Sequence, residues 1–444
     1  MSLSPADSTI FAPLFSDPDL ARIFSDEQFV RNLLEVERTL AQVQGKLGVI
    51  PKEAAGEIES AATALEVDFE RLRAGTEKDG FPIIELVRQL RHHLKPESAD
   101  YVHWGATTQD IMDTALVLQM RAALGVIENT LEQVIKNLAA LADRHRRTLM
   151  AGRTHAQQAL PITFGFKVAN WLAPLLRHRG RLVELKPRLL VAQFGGAVGT
   201  LAALGDKGIQ VQEALAEELR LGVLPMPWHT QRDTLVEAAN WLSLVSGGLA
   251  KMAQDILLLA QTEIGEVRES DDPWRGGSST MPQKENPMVS EVIIAVARAN
   301  ASLLASMHHA LIQEHERATH GWQMEWLALP QMFGHTSVAL KKALFLSENL
   351  VVDGARMQEN VRASHGLMLA EAVSFVLAKS MRRAEAKRVV GEACRIAALQ
   401  GRHLLEVVQE KVSAPVDWTA LNNEVDYLGS TEAFIDRMVG KSAE

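Results

Sequence analysis

Apolar residues recur along this chain at helical spacing. Near the N-terminus Phe29, Leu33, Val36, Leu40 and Val43 mark one face, and Pro51 ends the run. A second break, rich in glycine and charge, lies between Thr76 and Pro82. The first ~100 residues therefore read as short helices joined by turns. From Met112 the pattern changes scale. Leu116, Met120, Leu124, Ile127, Leu131, Ile135, Leu138 and Leu141 follow one face of a single long helix. A second long pattern opens near Phe166 and includes Leu172, Leu176, Leu182, Leu185 and Leu189. A third runs from Leu235 to Leu259, a fourth starts after Pro287 with Val292, Ala295, Ala299 and Leu303, and a fifth runs from about Met332 to Leu350. Patterns of more than ~20 residues exceed ordinary globular helices and predict a long-helix bundle. Strand-like alternation is scarce, and no fixed period supports a repeat array.

After Val351 the helices shorten again. The predicted fold is all-α, with an N-terminal helical domain over 1–110, a central long-helix bundle over 111–350 and a C-terminal helical domain over 351–444. Adjacent apolar residues on the bundle helices, such as Leu175 with Leu176 and Ile293 with Ile294, point in different directions. Val245 and Leu249 add to the same excess, so some of these residues face another chain or a second layer.

Composition agrees with helix. Hydrophobic residues make up 47% of the 444 positions and aromatics only 5%. The lone cysteine, Cys394, excludes an intrachain disulfide, fits a reducing compartment and reads as inert core. The start MSLSPADSTIF lacks the basic and apolar regions of a signal peptide. No uninterrupted apolar run approaches the ~18 residues of a membrane span. The expectation is a cytoplasmic protein with no membrane partner. A formal net charge of −9 argues against nucleic acid as a partner. It leaves room for an anion site that is locally basic.

Three polar, glycine-containing segments punctuate the long helices: His103–Asp110, Gly152–Gln158 and Asp271–Asn286. The last contains GGSSTMPQKENP, Gly276 to Pro287. Lys284 and Asn286 there offer a carboxylate a charge and an amide, and the start of the fourth helix offers its dipole. Thr107 and Thr108, in HWGATTQDIMDTA, offer hydroxyls and backbone N–H groups to an anion, or simply cap a helix. The adjacent pairs His92–His93 and His308–His309 do not face one way on a helix. No metal-ligand spacing and no dinucleotide fingerprint is present, so neither a metal nor a cofactor is expected.

GSSTMPQKENP resembles the signature GSSxMPxKxN of the fumarase/aspartase (argininosuccinate lyase) superfamily at every fixed position. GRTHAQQALPITFG, Gly152 to Gly165, and HWGATTQDIMDTA resemble two further conserved segments of that superfamily. QFGGAVGTLAALG, PWHTQRD, QEHERATHGWQMEW and HGLMLAEA extend the likeness over nearly the whole chain and look like the 3-carboxy-cis,cis-muconate cycloisomerase branch. The resemblance implies a homotetramer with a multi-helix core and sites shared between subunits. It implies Ser278 as the base and His155 as proton donor or relay, with Gln157 and Ser279 binding substrate beside Thr107, Thr108, Lys284 and Asn286. A tricarboxylate substrate brings extra charge, for which Arg153, Lys284, Arg232 and Arg317 are candidates. The implied reaction forms or breaks a C–O or C–N bond beta to a carboxylate, without a cofactor, through a dianionic aci-carboxylate.

One departure stands out. Bacterial cycloisomerases of this branch often lack the histidine of GRTHxQ, and this chain keeps it as His155. That points also to an epimerase or C–N lyase acting on an N-substituted aspartate such as iminodisuccinate, or to adenylosuccinate lyase. A catalytically inactive structural relative is a further alternative, against which Ser278, Lys284, Asn286 and His155 speak.

Overall fold

The computed structural model describes residues 2–272 and 274–442. Helix α1, Asp26–Lys46, carries the first apolar stripe. Its N-cap Ser25 accepts from the Gln28 N–H at 3.2 Å, acidic Asp26 and Glu27 fill the first turn, and Lys46 closes the last. Val30, Leu33, Val36, Leu40 and Val43 are all buried. The next helix, Lys52–Ala64, packs so closely on α1 that a Cβ on Gly45 would lie 2.4 Å from the Ala55 Cβ.

The five long patterns appear as α2 (Thr108–Arg144), α3 (Phe164–Leu189), α4 (Asp233–Leu259), α5 (Met288–Ala310) and α6 (Gly321–Asn349). The fifth starts well before the expected Met332, and Pro330 sits inside it. Trp322, Glu325 and Leu329 are buried at helical spacing ahead of the proline, so packing carries the helix through a residue that would end it in isolation.

The segment Leu149–Thr163 departs from the all-helical reading. It forms an antiparallel hairpin, β1 (Leu149–Thr154) and β2 (Gln157–Thr163), closed by the pair Thr154 and Gln157. The sequence hid it because β1 is short and the turn is His155–Ala156 rather than a glycine pair.

Contacts divide the chain into two compact units. The first takes residues up to Thr130, His178–Gly247 and Ala295–Ala339. The second takes Leu131–Arg177, Gly248–Ile294 and the chain from Leu340 on. In the first, α1 and the helices after it share a core with the start of α2, including Leu33, Leu86, Ile111 and Phe194. In the second, Leu377, Ala393, Leu404 and Val408 center a helical core near the C-terminus. By length and composition α4 and α5 are apolar enough to cross a membrane. Yet only 44% and 39% of their most apolar stretches is buried within the chain.

Candidate active site

In the first unit the turn before α2 is organised by one carboxylate. Asp110, fully buried, accepts the backbone N–H groups of Thr107 at 3.0 Å, Gly195 at 2.9 Å and Gly196 at 2.9 Å, and His229 Nε2 lies 2.6 Å away. It therefore ties three of the sequence segments together. The same bonds spend the Thr107 N–H, while the Thr107 and Thr108 side chains are half-buried. At the turn's other end His103 holds a left-handed backbone, φ 64°, and its Nδ1 lies 2.5 Å from buried Glu37. Burial disfavours the His103 charge, but the Glu37 charge and hydrogen bond outweigh it and raise the pKa.

Arg232 does not serve as a substrate ligand. Its side chain is fully buried and divided between two carboxylates: Glu325 at 2.8 and 2.5 Å, and Asp113 at 2.7 and 3.0 Å. Burial opposes its charge, and the two carboxylates more than restore it, raising the pKa. Trp322 Nε1 and Gln109 Nε2 complete the Asp113 shell at 3.0 and 3.1 Å. Nothing is left for an external anion. Arg232→Met should cost about 3 kcal/mol, because Asp113 and Glu325 would be buried without their cation. A urea-unfolding midpoint close to the parent's would contradict this structural role.

Arg317 differs. It donates to the carbonyls of Gly196 and Ala197, at 2.7 and 3.1 Å, and to Gln109 Oε1 at 3.3 Å. Among the described residues no carboxylate is in its hydrogen-bond shell, and burial lowers its pKa against the more distant pull of Asp110 and Asp113. It remains a half-buried cation with charge to offer.

In the second unit the hairpin presents His155 at its tip. His155 and Ala156 have φ of 49° and 63°, so the two-residue turn is left-handed at both positions without a glycine. His155 and Gln157 are exposed. Arg153, behind the tip, is committed to Glu266, with Nη atoms at 2.7 and 2.9 Å from its fully buried carboxylate. It braces the hairpin, with its Nη1 also donating to the Ala151 carbonyl at 3.3 Å.

The Ser278 loop belongs to the same unit. Its base is pinned by Asn286, whose backbone N–H and Nδ2 both donate to the Gly276 carbonyl, at 2.8 and 2.7 Å. Gly276 has φ 72°, and a Cβ there would lie 2.2 Å from the Asn286 carbonyl oxygen, so only glycine fits. Asn286 thus acts first as a clamp on the loop. The N-terminus of α5 is also occupied: Glu269 accepts from Val289 N at 3.0 Å and Ser290 N at 2.7 Å. The helix dipole expected to serve a substrate is met by the chain's own carboxylate. Lys284 and Ser279 are exposed, and among the described residues Lys284 makes no ion pair. Ser278 Oγ accepts the backbone N–H groups of Met281 at 3.1 Å and Thr280 at 3.3 Å. No hydrogen bond joins Ser278 to His155 among the described residues.

The residues that sequence reasoning missed are carboxylates: Glu37, Asp110, Asp113, Glu266, Glu269 and Glu325. Asp110 had a local signal, as a capping acid of the TTQD turn. The others act on partners too distant in sequence to leave one.

A family model described as a lyase matches residues 16–299. The chain is 44% identical to the 3-carboxy-cis,cis-muconate cycloisomerase of Pseudomonas aeruginosa, over 99% of this chain and 98% of that protein. The solved structure of 3-carboxy-cis,cis-muconate lactonizing enzyme from Pseudomonas putida matches with a TM-score of 0.92 at 42% identity, covering 98% of this chain and 99% of that one. The fumarate lyase from Mesorhizobium sp. BNC1 matches with a TM-score of 0.90 at 45% identity, covering 96% and 98%.

Proposed function

Because the chain belongs to the fumarase/aspartase lyase superfamily, we propose that it catalyses the lactonisation of 3-carboxy-cis,cis-muconate, with Ser278 as its base. The observation that carries this reading is the pair of backbone N–H groups aimed at Ser278 Oγ. A free serine hydroxyl is far too weak a base at neutral pH, and donors fixed on its oxygen favour the alkoxide. Exclusion of water when the loop closes strengthens the effect.

In the lactone-opening direction the Ser278 alkoxide takes the proton alpha to one carboxylate, and the beta C–O bond breaks. In the lactonising direction the C–O bond forms, and the Ser278 hydroxyl returns that proton to carbon. Atoms balance without a cofactor. Charge that builds on the carboxylate oxygens meets Lys284, Ser279 and the hydroxyls of Thr107 and Thr108, with Gln157 as a further donor and Arg317 for the extra carboxylate. His155 serves the departing group. The assembly is a homotetramer, which the largely unburied apolar stretches of α4 and α5 support. Leu175 and Ile293 are buried in the chain while neighbouring Leu176 and Ile294 are only partly covered.

His155 favours a second reading. A departing amine needs a proton more than a departing carboxylate does, and an exposed histidine held in a left-handed turn is suited to give one. That reading is a C–N lyase or epimerase acting on an N-substituted aspartate. Ultraviolet assay of 3-carboxymuconate, beside fumarate-forming assays with adenylosuccinate, argininosuccinate and iminodisuccinate, separates the two. Loss of the diene absorbance without fumarate supports lactonisation. Fumarate release, or a change of chirality in iminodisuccinate without new absorbance, supports the second. No turnover of any of these by a folded oligomer overturns both in favour of an inactive structural relative.

A further inference from the structure

The first unit contains a cavity of about 770 Å³, built wholly from that unit's own residues. Its aromatic wall is Phe24 just before α1, Phe29 within α1, Phe69 on the helix Phe69–Asp79, and Trp322 and Trp326 on α6. The wall is held in place by its own packing. The Trp322 and Trp326 rings meet edge to face with centroids 5.0 Å apart, and Phe81 packs on both at 5.4 and 6.2 Å. The volume falls within the roughly 300–1,000 Å³ of small-molecule sites. Phe69 is 42% exposed, and Phe24, Phe29 and Trp326 are only partly covered, so the chain leaves this apolar surface bare.

The charge around the cavity has one sign. Asp26, Glu70, Glu77, Asp113 and Glu325 line it, and the only cation among the described lining residues is Arg73, which pairs with Glu70 at 2.8 Å. Asp113 and Glu325 are buried and share the single guanidinium of Arg232, so one negative charge in that group goes uncompensated. Each Glu325 oxygen accepts from Arg232 alone among the described residues. Burial, with the Asp113 charge in the same direction, raises the Glu325 pKa against the pull of Arg232. Asp26 and Glu77 are exposed.

These walls select an occupant. A carboxylate substrate would meet five acids and one base. A second copy of this chain is disfavoured too, since the chain itself carries a net charge of −9. Aromatic faces attract cations, and a buried negative charge in excess calls for one. We infer that this cavity binds a small apolar organic cation of the arylalkylamine class, its hydrocarbon part against the aromatic wall. No residue of the Ser278 loop lines the cavity, and the inference does not depend on the muconate reading.

The test is calorimetric binding of three probes that share one hydrocarbon part and differ in charge: 4-phenylbutylammonium, 4-phenylbutanol and 4-phenylbutyrate. The full-length protein should bind the ammonium about tenfold more tightly than the alcohol, and the alcohol more tightly than the carboxylate. Thr76, half-buried in the lining, is the place to fill the cavity. Thr76→Trp should weaken the ammonium by about tenfold or more, with circular dichroism unchanged. The double variant Asp26→Asn with Glu77→Gln, which leaves the space open, should weaken the ammonium by about threefold and leave the alcohol as it was. Equal affinity for all three probes, or ammonium binding that survives Thr76→Trp, overturns the assignment. A parent that binds no probe while Thr76→Trp lowers its native mass would show that a second copy fills the cavity, and the inference would fall. A parent that binds no probe and keeps its mass in the variant overturns it as well.

Discussion

Ser278→Ala is expected to lower turnover by at least about 10³-fold while leaving helical content and assembly unchanged. The asymmetry follows from what the side chain does. Its oxygen accepts two backbone N–H groups within a half-exposed turn. Losing those bonds costs the fold about 1 kcal/mol or less, since water replaces them. The loop's shape is held elsewhere, by the two Asn286 donors on the Gly276 carbonyl. The chemistry has no such substitute. Removing a proton alpha to a carboxylate needs a base in place, and neither Ser279 nor Thr280 oxygen receives the pair of backbone donors that Ser278 does. The measurement is kcat on the substrate identified by the assays above, beside circular dichroism and native mass. A variant within about tenfold of the parent rate would take Ser278 out of the mechanism.

The parts of this molecule legible in sequence are those whose signal is local. The stripe from Leu116 to Leu141 specifies α2 because one apolar face over many turns has no other use. Pro330 misled because its effect on a helix is decided by packing, and the burial of Trp322 and Leu329 ahead of it is not written at the proline. The hairpin was missed for a related reason. Its turn pair, His155–Ala156, carries none of the glycine or asparagine that usually announces a left-handed turn. Of the candidate site, the loop around Ser278 carried a local sequence signal, while the assignment of charges did not. Arg232 read as a free guanidinium. Its partners Asp113 and Glu325 lie 119 and 93 residues away, and only the fold brings them to it. Arg153 found Glu266 113 residues on, and the start of α5 found Glu269. In each case a group suited to binding a substrate carboxylate was first claimed by one of the chain's own.

That accounting sharpens the question of where a complete site is assembled. The proposed tetramer takes His103–Asp110, Gly152–Gln158 and Gly276–Asn286 from three different chains, so that a serine and its histidine belong to different subunits. Ser278→Ala and His155→Asn are then each inactive for separate reasons. Asparagine keeps the turn, since it tolerates the left-handed backbone of position 155 better than most residues. Unfolded together in equal amounts and refolded, the two variants should regain activity. A site is intact when its serine comes from a His155→Asn chain and its histidine from a Ser278→Ala chain. Random assembly makes that combination in about one site in four, so the mixture should reach about a quarter of the parent rate, while each variant refolded alone stays near zero. Turnover of the mixture is compared with each variant treated identically, and native mass confirms that mixed tetramers have formed. Mixed tetramers without recovered turnover would place Ser278 and His155 of one site in the same chain, and the proposal of shared sites would fall.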